Sequence, residues 1–228
     1  KELAKVISIV LTQKPDVENM TAYELIALGR TPYTDFWGKL STQDKQIVEE
    51  AITDIGIANL RDRYINTLSD GERQKVMIAK ALVQDTPIIL LDEPTAFLDY
   101  PSKADTMHLL QRLAHQKNKT ILLSTHDMEL AIQIADKIWL FSPDKKLHTG
   151  VPEDLAIQGI FEEFLANTDI YFDRTSGLLS VHHPTDKTIS IHGESKLKQI
   201  IKKALYRVGI RAQRDLNSNL TQLNIISD

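Results

Sequence analysis

Residues 88–94 read Ile88-Ile89-Leu90-Leu91-Asp92-Glu93-Pro94. The aliphatic run is continuous and short, which predicts a strand covered on both faces in a parallel sheet. Two adjacent carboxylates stand at its end, and a proline marks the turn that follows. Such a strand delivers the acids to the open end of the sheet. There one can hold a magnesium-bound water while the other accepts a proton from an attacking water. The plainer alternative is that Asp92 and Glu93 only terminate a strand before a turn.

Upstream, Leu68-Ser69-Asp70-Gly71-Glu72 precedes a helix predicted over 71–84. Backbone N–H groups and the positive end of that helix dipole are available there to an anion, and Gly71 permits close backbone approach. Ser69 followed by Glu72 is equally a capping box. Further back, β-branched residues over 6–11 predict a strand running into a loop at Gln13. Thr21 with Glu24 opens a helix that Gly29 stops, and Ser41 with Asp44 opens another over 42–55. Residues 14–67 thus read as a helical insertion. Downstream, Pro101 opens a helix to 116, a strand follows over 121–124, then a helix over 127–135 and a strand over 137–141. Strands alternating with helices imply an α/β fold, a parallel sheet with helices packed on it, with its chemistry at the carboxyl ends of the strands.

Beyond Pro152 the pattern changes. Residues 154–165 predict a helix, 170–172, 178–182 and 188–192 short strands, 196–208 a helix and 223–226 a last strand. The chain therefore divides into 1–165 and a small α+β appendage over 166–228. His182, His183 and His192 lack the carboxylate pattern of a metal site and read as packed or solvated side chains.

The order of these motifs resembles the ATP-binding-cassette (ABC) ATPases, whose fold is P-loop-NTPase-like. Residues 68–72 are similar to the family signature, 88–93 to its Walker B strand, and Thr95-Ala96-Phe97-Leu98-Asp99 to its D-loop. His126, just past a strand, resembles the switch histidine, and Gln13 the Q-loop glutamine. Thr21-Ala-Tyr-Glu-Leu-Ile-Ala-Leu-Gly-Arg30-Thr-Pro-Tyr33 and Asp136-Lys-Ile-Trp139-Leu resemble the ATPases that power uptake of iron siderophores, haem and cobalamin. Two departures stand out. Asp70 occupies a position where the common signature has Gly, and Glu72 one where it often has Gln. No G-x-x-x-x-G-K-[S/T] occurs in the 228 residues, and only twelve precede Gln13. A segment carrying that phosphate-cradling loop is expected ahead of Lys1, and the 228 residues by themselves are expected to be inactive.

The resemblance implies a division of labour. Two copies would stack head to tail, each ATP lying against Ser69 and Gly71 of one copy, with Glu72 beside them and Asp99 reaching across the interface. Glu93 would be the general base, His126 would contact the γ-phosphate, and Asp92 and Gln13 would serve Mg2+. The partners implied are integral permease subunits and, through them, a periplasmic binding protein. The protein is expected in the cytoplasm, on the inner face of the membrane.

Composition is compatible with this. Lys plus Arg total 27 against 31 for Asp plus Glu, a net charge of −4 that gives no electrostatic reason to expect nucleic acid. No cysteine is present, which excludes disulfides and thiolate metal sites. No apolar stretch approaches the roughly 20 residues of a membrane-spanning helix. Two other readings stay open: a soluble ABC ATPase acting on nucleic acid or ribosomes, and a non-catalytic binding fragment.

Overall fold

The computed structural model describes residues 2–12, 19–142, 144–174, 176–185, 187–192, 197–213 and 221–224. Contacts divide the chain into two compact units, Lys1–Ile138 and Trp139–Asp228.

In the first unit, β1 (Ile7–Val10) leads to the helical insertion, which holds α1 (Ala22–Ala27), a 3-10 turn over Leu28–Tyr33 and α2 (Thr42–Ile55). Then come α3 (Asp70–Val83), β2 (Ile88–Asp92), α4 (Tyr100–Lys117), β3 (Thr120–Ser124) and α5 (Met128–Ile134). The three strands form one sheet in the order β1-β2-β3, parallel throughout. Its register pairs Val10 with Leu91 and Asp92 with Ser124.

Caps fix the helix starts. Thr21, Ser41 and Ser69 each accept from the backbone N–H three residues on, while Glu24, Asp44 and Glu72 return the bond. Asp99 and Asp127 cap α4 and α5 from the loops after β2 and β3. One face of the sheet is well covered. Val10, Ile89 and Leu91 join Ile78, Val83, Leu109 and Leu113 in a core continuous with Leu25, Ile26, Val48 and Ile52 of the insertion. The other face differs from the two-sided covering expected for residues 88–91: Ile9 and Leu122, which flank half-buried Leu90, are 59% and 42% exposed.

A buried cation ties the insertion to the end of α3. Arg30, 6% exposed, donates from Nε to Asp44 Oδ1 and from Nη1 to the Val83 carbonyl, both at 2.8 Å. Its guanidinium lies 4.0 Å from the centre of the Tyr33 ring, and the Tyr33 hydroxyl donates to the Gln84 carbonyl. Two carbonyls at the end of α3, which have no partner within the helix, are thereby capped. Gln84 in turn donates to Ala4 and Ile7, reaching β1. Gly29 permits the approach, since a Cβ there would stand 2.2 Å from the Lys80 carbonyl oxygen.

The second unit opens differently from expectation. The strand at 137–141 is β4 (Ile138–Phe141), and it pairs with β5 (Leu147–Gly150) in a two-stranded sheet apart from the parallel one. The cause is a tight turn: Ser142 N–H donates to the Lys146 carbonyl and Lys145 takes φ +65°, reversing the chain directly. The single helix expected over 154–165 is two, α6 (Pro152–Ile157) and α7 (Ile160–Leu165), because Gly159 adopts φ +80° between them. An antiparallel hairpin follows, β6 (Ile170–Asp173) and β7 (Leu178–Val181), with Phe172 against Phe161 at 5.1 Å. Last come β8 (Lys187–His192), α8 (Lys198–Arg207), β9 (Ile210–Gln213) and β10 (Gln222–Asn224), with a parallel sheet in the order β10-β8-β9. His182 packs on Tyr171, His183 on Tyr206, and His192 Nε2 lies 2.8 Å from Ser190 Oγ. Among the described residues no helix is long and apolar enough to cross a membrane.

Candidate functional site

The parallel register brings chemistry to the carboxyl ends of β2 and β3. Asp92 ends β2 directly across from Ser124, which ends β3. Both Asp92 oxygens are held: Ser124 Oγ donates to Oδ1 at 2.8 Å and Thr12 Oγ1 to Oδ2 at 2.9 Å. The Ser124 bond first, and Thr12 second, keep the carboxyl below its ordinary pKa, so it stays ionised.

Glu93 leaves the strand with φ +49°, a left-handed backbone that costs a non-glycine residue about 1–2 kcal/mol. Its N–H donates to Ser124 Oγ at 2.9 Å. Its side chain turns to His126, with Oε1 2.6 Å from Nε2. The imidazole is 93% exposed and so open to a ligand. Of the residues singled out from sequence, the structure unites Asp92, Glu93 and His126.

Ser69 and Glu72 form a separate group. Ser69 N–H donates to Glu72 Oε2 at 2.9 Å, Glu72 N–H to Ser69 Oγ at 3.3 Å, and Arg63 bonds Glu72 Oε1 at 3.1 Å. The Ser69 backbone bond is the largest influence holding the Glu72 carboxyl below its usual pKa. The capping-box reading of these residues is thus realised in this structure. Asp70 lies 3.8 Å from Arg73, and both line a shallow cleft with Thr12, Glu93 and Phe97.

Asp99 accepts from the Ser102 N–H at the start of α4, and Ser102's side chain and backbone hold its carboxyl below the ordinary value. Gly71 faces the same serine, since a Cβ there would stand 3.4 Å from Ser102 Oγ. The starts of α3 and α4 are therefore side by side. Between Glu93 and Asp99 the chain turns tightly, with Phe97 at φ +64° and 76% exposed. An aromatic residue rarely adopts that backbone, and the strain marks this turn as specialised. Gln13 lies outside the described residues.

Sequence reasoning missed Ser124 and Thr12. A hydroxyl closing the strand next to an acid-bearing one was the available signal, but its meaning depends on register.

The parallel sheet β1-β2-β3 with helices packed on it is a P-loop-NTPase-like fold, shared with solved ABC transporter cassettes. The ABC transporter family profile matches residues 1–96. An uncharacterized ABC transporter ATP-binding protein of Methanocaldococcus jannaschii is 42% identical over 163 residues, covering 72% of this chain and 56% of the relative. A petrobactin import ATP-binding protein of Bacillus anthracis is 32% identical over 199 residues, covering 87% and 71%. Among solved structures, an inward-facing metal-chelate type ABC transporter superposes with TM-score 0.65 at 23% identity, over 78% of this chain and 70% of its own, and shares the fold. The chain belongs to the ABC transporter ATP-binding protein family. It spans 56% of the length of the Methanocaldococcus relative.

Proposed function

We propose that this chain is part of the ATP-binding and ATP-hydrolysing subunit of a bacterial ABC importer that drives uptake of an iron chelate, such as a siderophore or haem, or of a cobalamin-like ligand. The observation that carries the ATPase reading is the Glu93 carboxylate held 2.6 Å from His126 beside the ionised Asp92. Glu93 is the general base that takes a proton from the attacking water. His126 orients that water and the γ-phosphate. Ser69 and Gly71, at the start of α3, meet the phosphates of ATP bound by a second copy stacked head to tail, and Asp99 reaches across that interface.

The donor set fits Mg2+. Asp92 offers a hard, ionised oxygen, and Mg2+ is characteristically bound by one or two carboxylates together with substrate phosphates and water. When bound, Mg2+ neutralises charge on the phosphate oxygens. Asp92 and, by resemblance, Gln13 would hold it.

The iron-chelate class is supported by the petrobactin import relative and by the stretch from Thr21 to Tyr33. In this reading the insertion, clamped to α3 through Arg30, carries nucleotide-driven motion to the permease. A periplasmic binding protein delivers the ligand on the far side, and the subunit sits peripherally on the inner face of the membrane. Purification of the full-length protein from native membranes tests the assignment. Recovery with an integral permease is the expected result, and recovery with RNA or ribosomes instead would contradict it.

A further inference from the structure

One hydroxyl touches both acids of the candidate site. Ser124 Oγ donates its proton to Asp92 Oδ1 and accepts the backbone N–H of Glu93, at 2.8 and 2.9 Å. A serine hydroxyl has one proton and two lone pairs, so giving the proton to the carboxylate leaves lone pairs for the N–H. The arrangement follows from register, which sets Ser124 opposite Asp92 on adjacent parallel strands.

We propose that Ser124 is a positioning residue of the ATPase site, its hydroxyl fixing the Asp92 carboxylate that faces the cation and the Glu93 backbone that aims the base. The proposal rests on the ATPase reading given above.

Two features support it. Asp92 is held from both sides, since Thr12 takes the oxygen that Ser124 does not. Each carboxylate oxygen has two acceptor directions, so a free lone pair remains on each for a cation or its water. Glu93 also sits in a left-handed backbone, φ +49°, that a bulky residue does not adopt unaided. Its N–H bond to Ser124 anchors that conformation at the residue whose carboxylate meets His126. Removal of the hydroxyl leaves the carboxylate free to rotate on one side and the Glu93 N–H without its partner. Partners one step removed from a cation commonly change affinity or activity by about 10–100-fold.

The test compares Ser124→Ala and Ser124→Thr in the full-length protein. Ser124 is exposed, so neither change disturbs the core, and thermal unfolding without nucleotide checks this. Mn2+ titrated in place of Mg2+ with ATP, in a Glu93→Gln background that prevents turnover, reports cation binding through the electron paramagnetic resonance signal of free Mn2+. Ser124→Ala is expected to weaken Mn2+ binding about 10-fold, and Ser124→Thr to restore it to within about 2-fold. With Glu93 intact, kcat is expected to fall about 10-fold in Ser124→Ala at unchanged KM for ATP, again with rescue by threonine. Equal Mn2+ affinity and kcat in Ser124→Ala, or a threonine variant as impaired as the alanine one, overturns the assignment. If the unvaried protein hydrolyses ATP in a Glu93-dependent way and only Ser124→Ala is silent, the ATPase reading stands and this proposal falls. No hydrolysis by the unvaried protein overturns both.

Discussion

Replacing Arg30 by Met keeps an unbranched apolar stem, shortens the side chain and removes a buried charge from the junction of the insertion and α3. Two charge-assisted bonds vanish, to Asp44 and to the Val83 carbonyl, each 2.8 Å long, together with the stack on Tyr33. Asp44, 6% exposed, keeps the Ser41 hydroxyl and N–H as its partners among the described residues. Breaking a buried ion pair by removing one partner costs about 3–5 kcal/mol, because the remaining charge is uncompensated. At about 2–4 °C per kcal/mol for a domain of this size, Tm should fall by roughly 10 °C. Thermal unfolding followed by far-ultraviolet circular dichroism measures this. The double variant Arg30→Met, Asp44→Asn should be less destabilised than the sum of the single ones, with a coupling of about 1–3 kcal/mol. A single variant within about 2 °C of the unvaried protein, or strict additivity, would refute the claim that this pair clamps the insertion.

Two further outcomes follow from the same junction. Gly29→Ala forces a Cβ to 2.2 Å from the Lys80 carbonyl oxygen and 2.5 Å from Val83 Cγ2, so α3 must shift; a loss of about 1–3 kcal/mol is expected in urea unfolding. The Asp44 carboxyl is held below its ordinary pKa, first by the Ser41 hydroxyl and also by Arg30. A depressed folded-state pKa contributes stability that is complete above about 3.9, the unfolded value, and is lost as pH falls through the folded one. Unfolding measured between neutrality and acid should therefore show a steeper acid loss in the unvaried protein than in Asp44→Asn, and parallel curves would count against it.

Much of this was legible in the sequence, for reasons that are local. Three capping boxes, at Thr21, Ser41 and Ser69, were readable because the two partners stand three residues apart. The helix expected over 42–55, opened by Ser41 with Asp44, is α2, and the strand expected from the continuous apolar run over 88–91 extends one residue further to Asp92. What escaped depended on contacts distant along the chain. Nothing local distinguishes Ser124 from any other strand-ending serine; the parallel pairing with Asp92 does. Arg30 stood in the sequence only as part of the stretch from Thr21 to Tyr33; its burial depends on Asp44 and on the end of α3, which lies 53 residues further along the chain. The four-residue strands Leu147–Gly150 and Ile210–Gln213 are too short and polar for alternation to register. Gly159 interrupts an otherwise continuous apolar period by a backbone angle that the pattern does not record.

The central claim is that Glu93 removes the proton from the attacking water. Hydrolysis of radiolabelled ATP by the full-length protein under single-turnover conditions, with and without Glu93→Gln, tests it most directly. The expected result is a variant that binds ATP as the unvaried protein does and cleaves it at least about 100-fold more slowly, the scale of a lost general base. Cleavage at the unvaried rate would contradict the account, because the acid pair at the end of β2 would then be no more than the end of a strand.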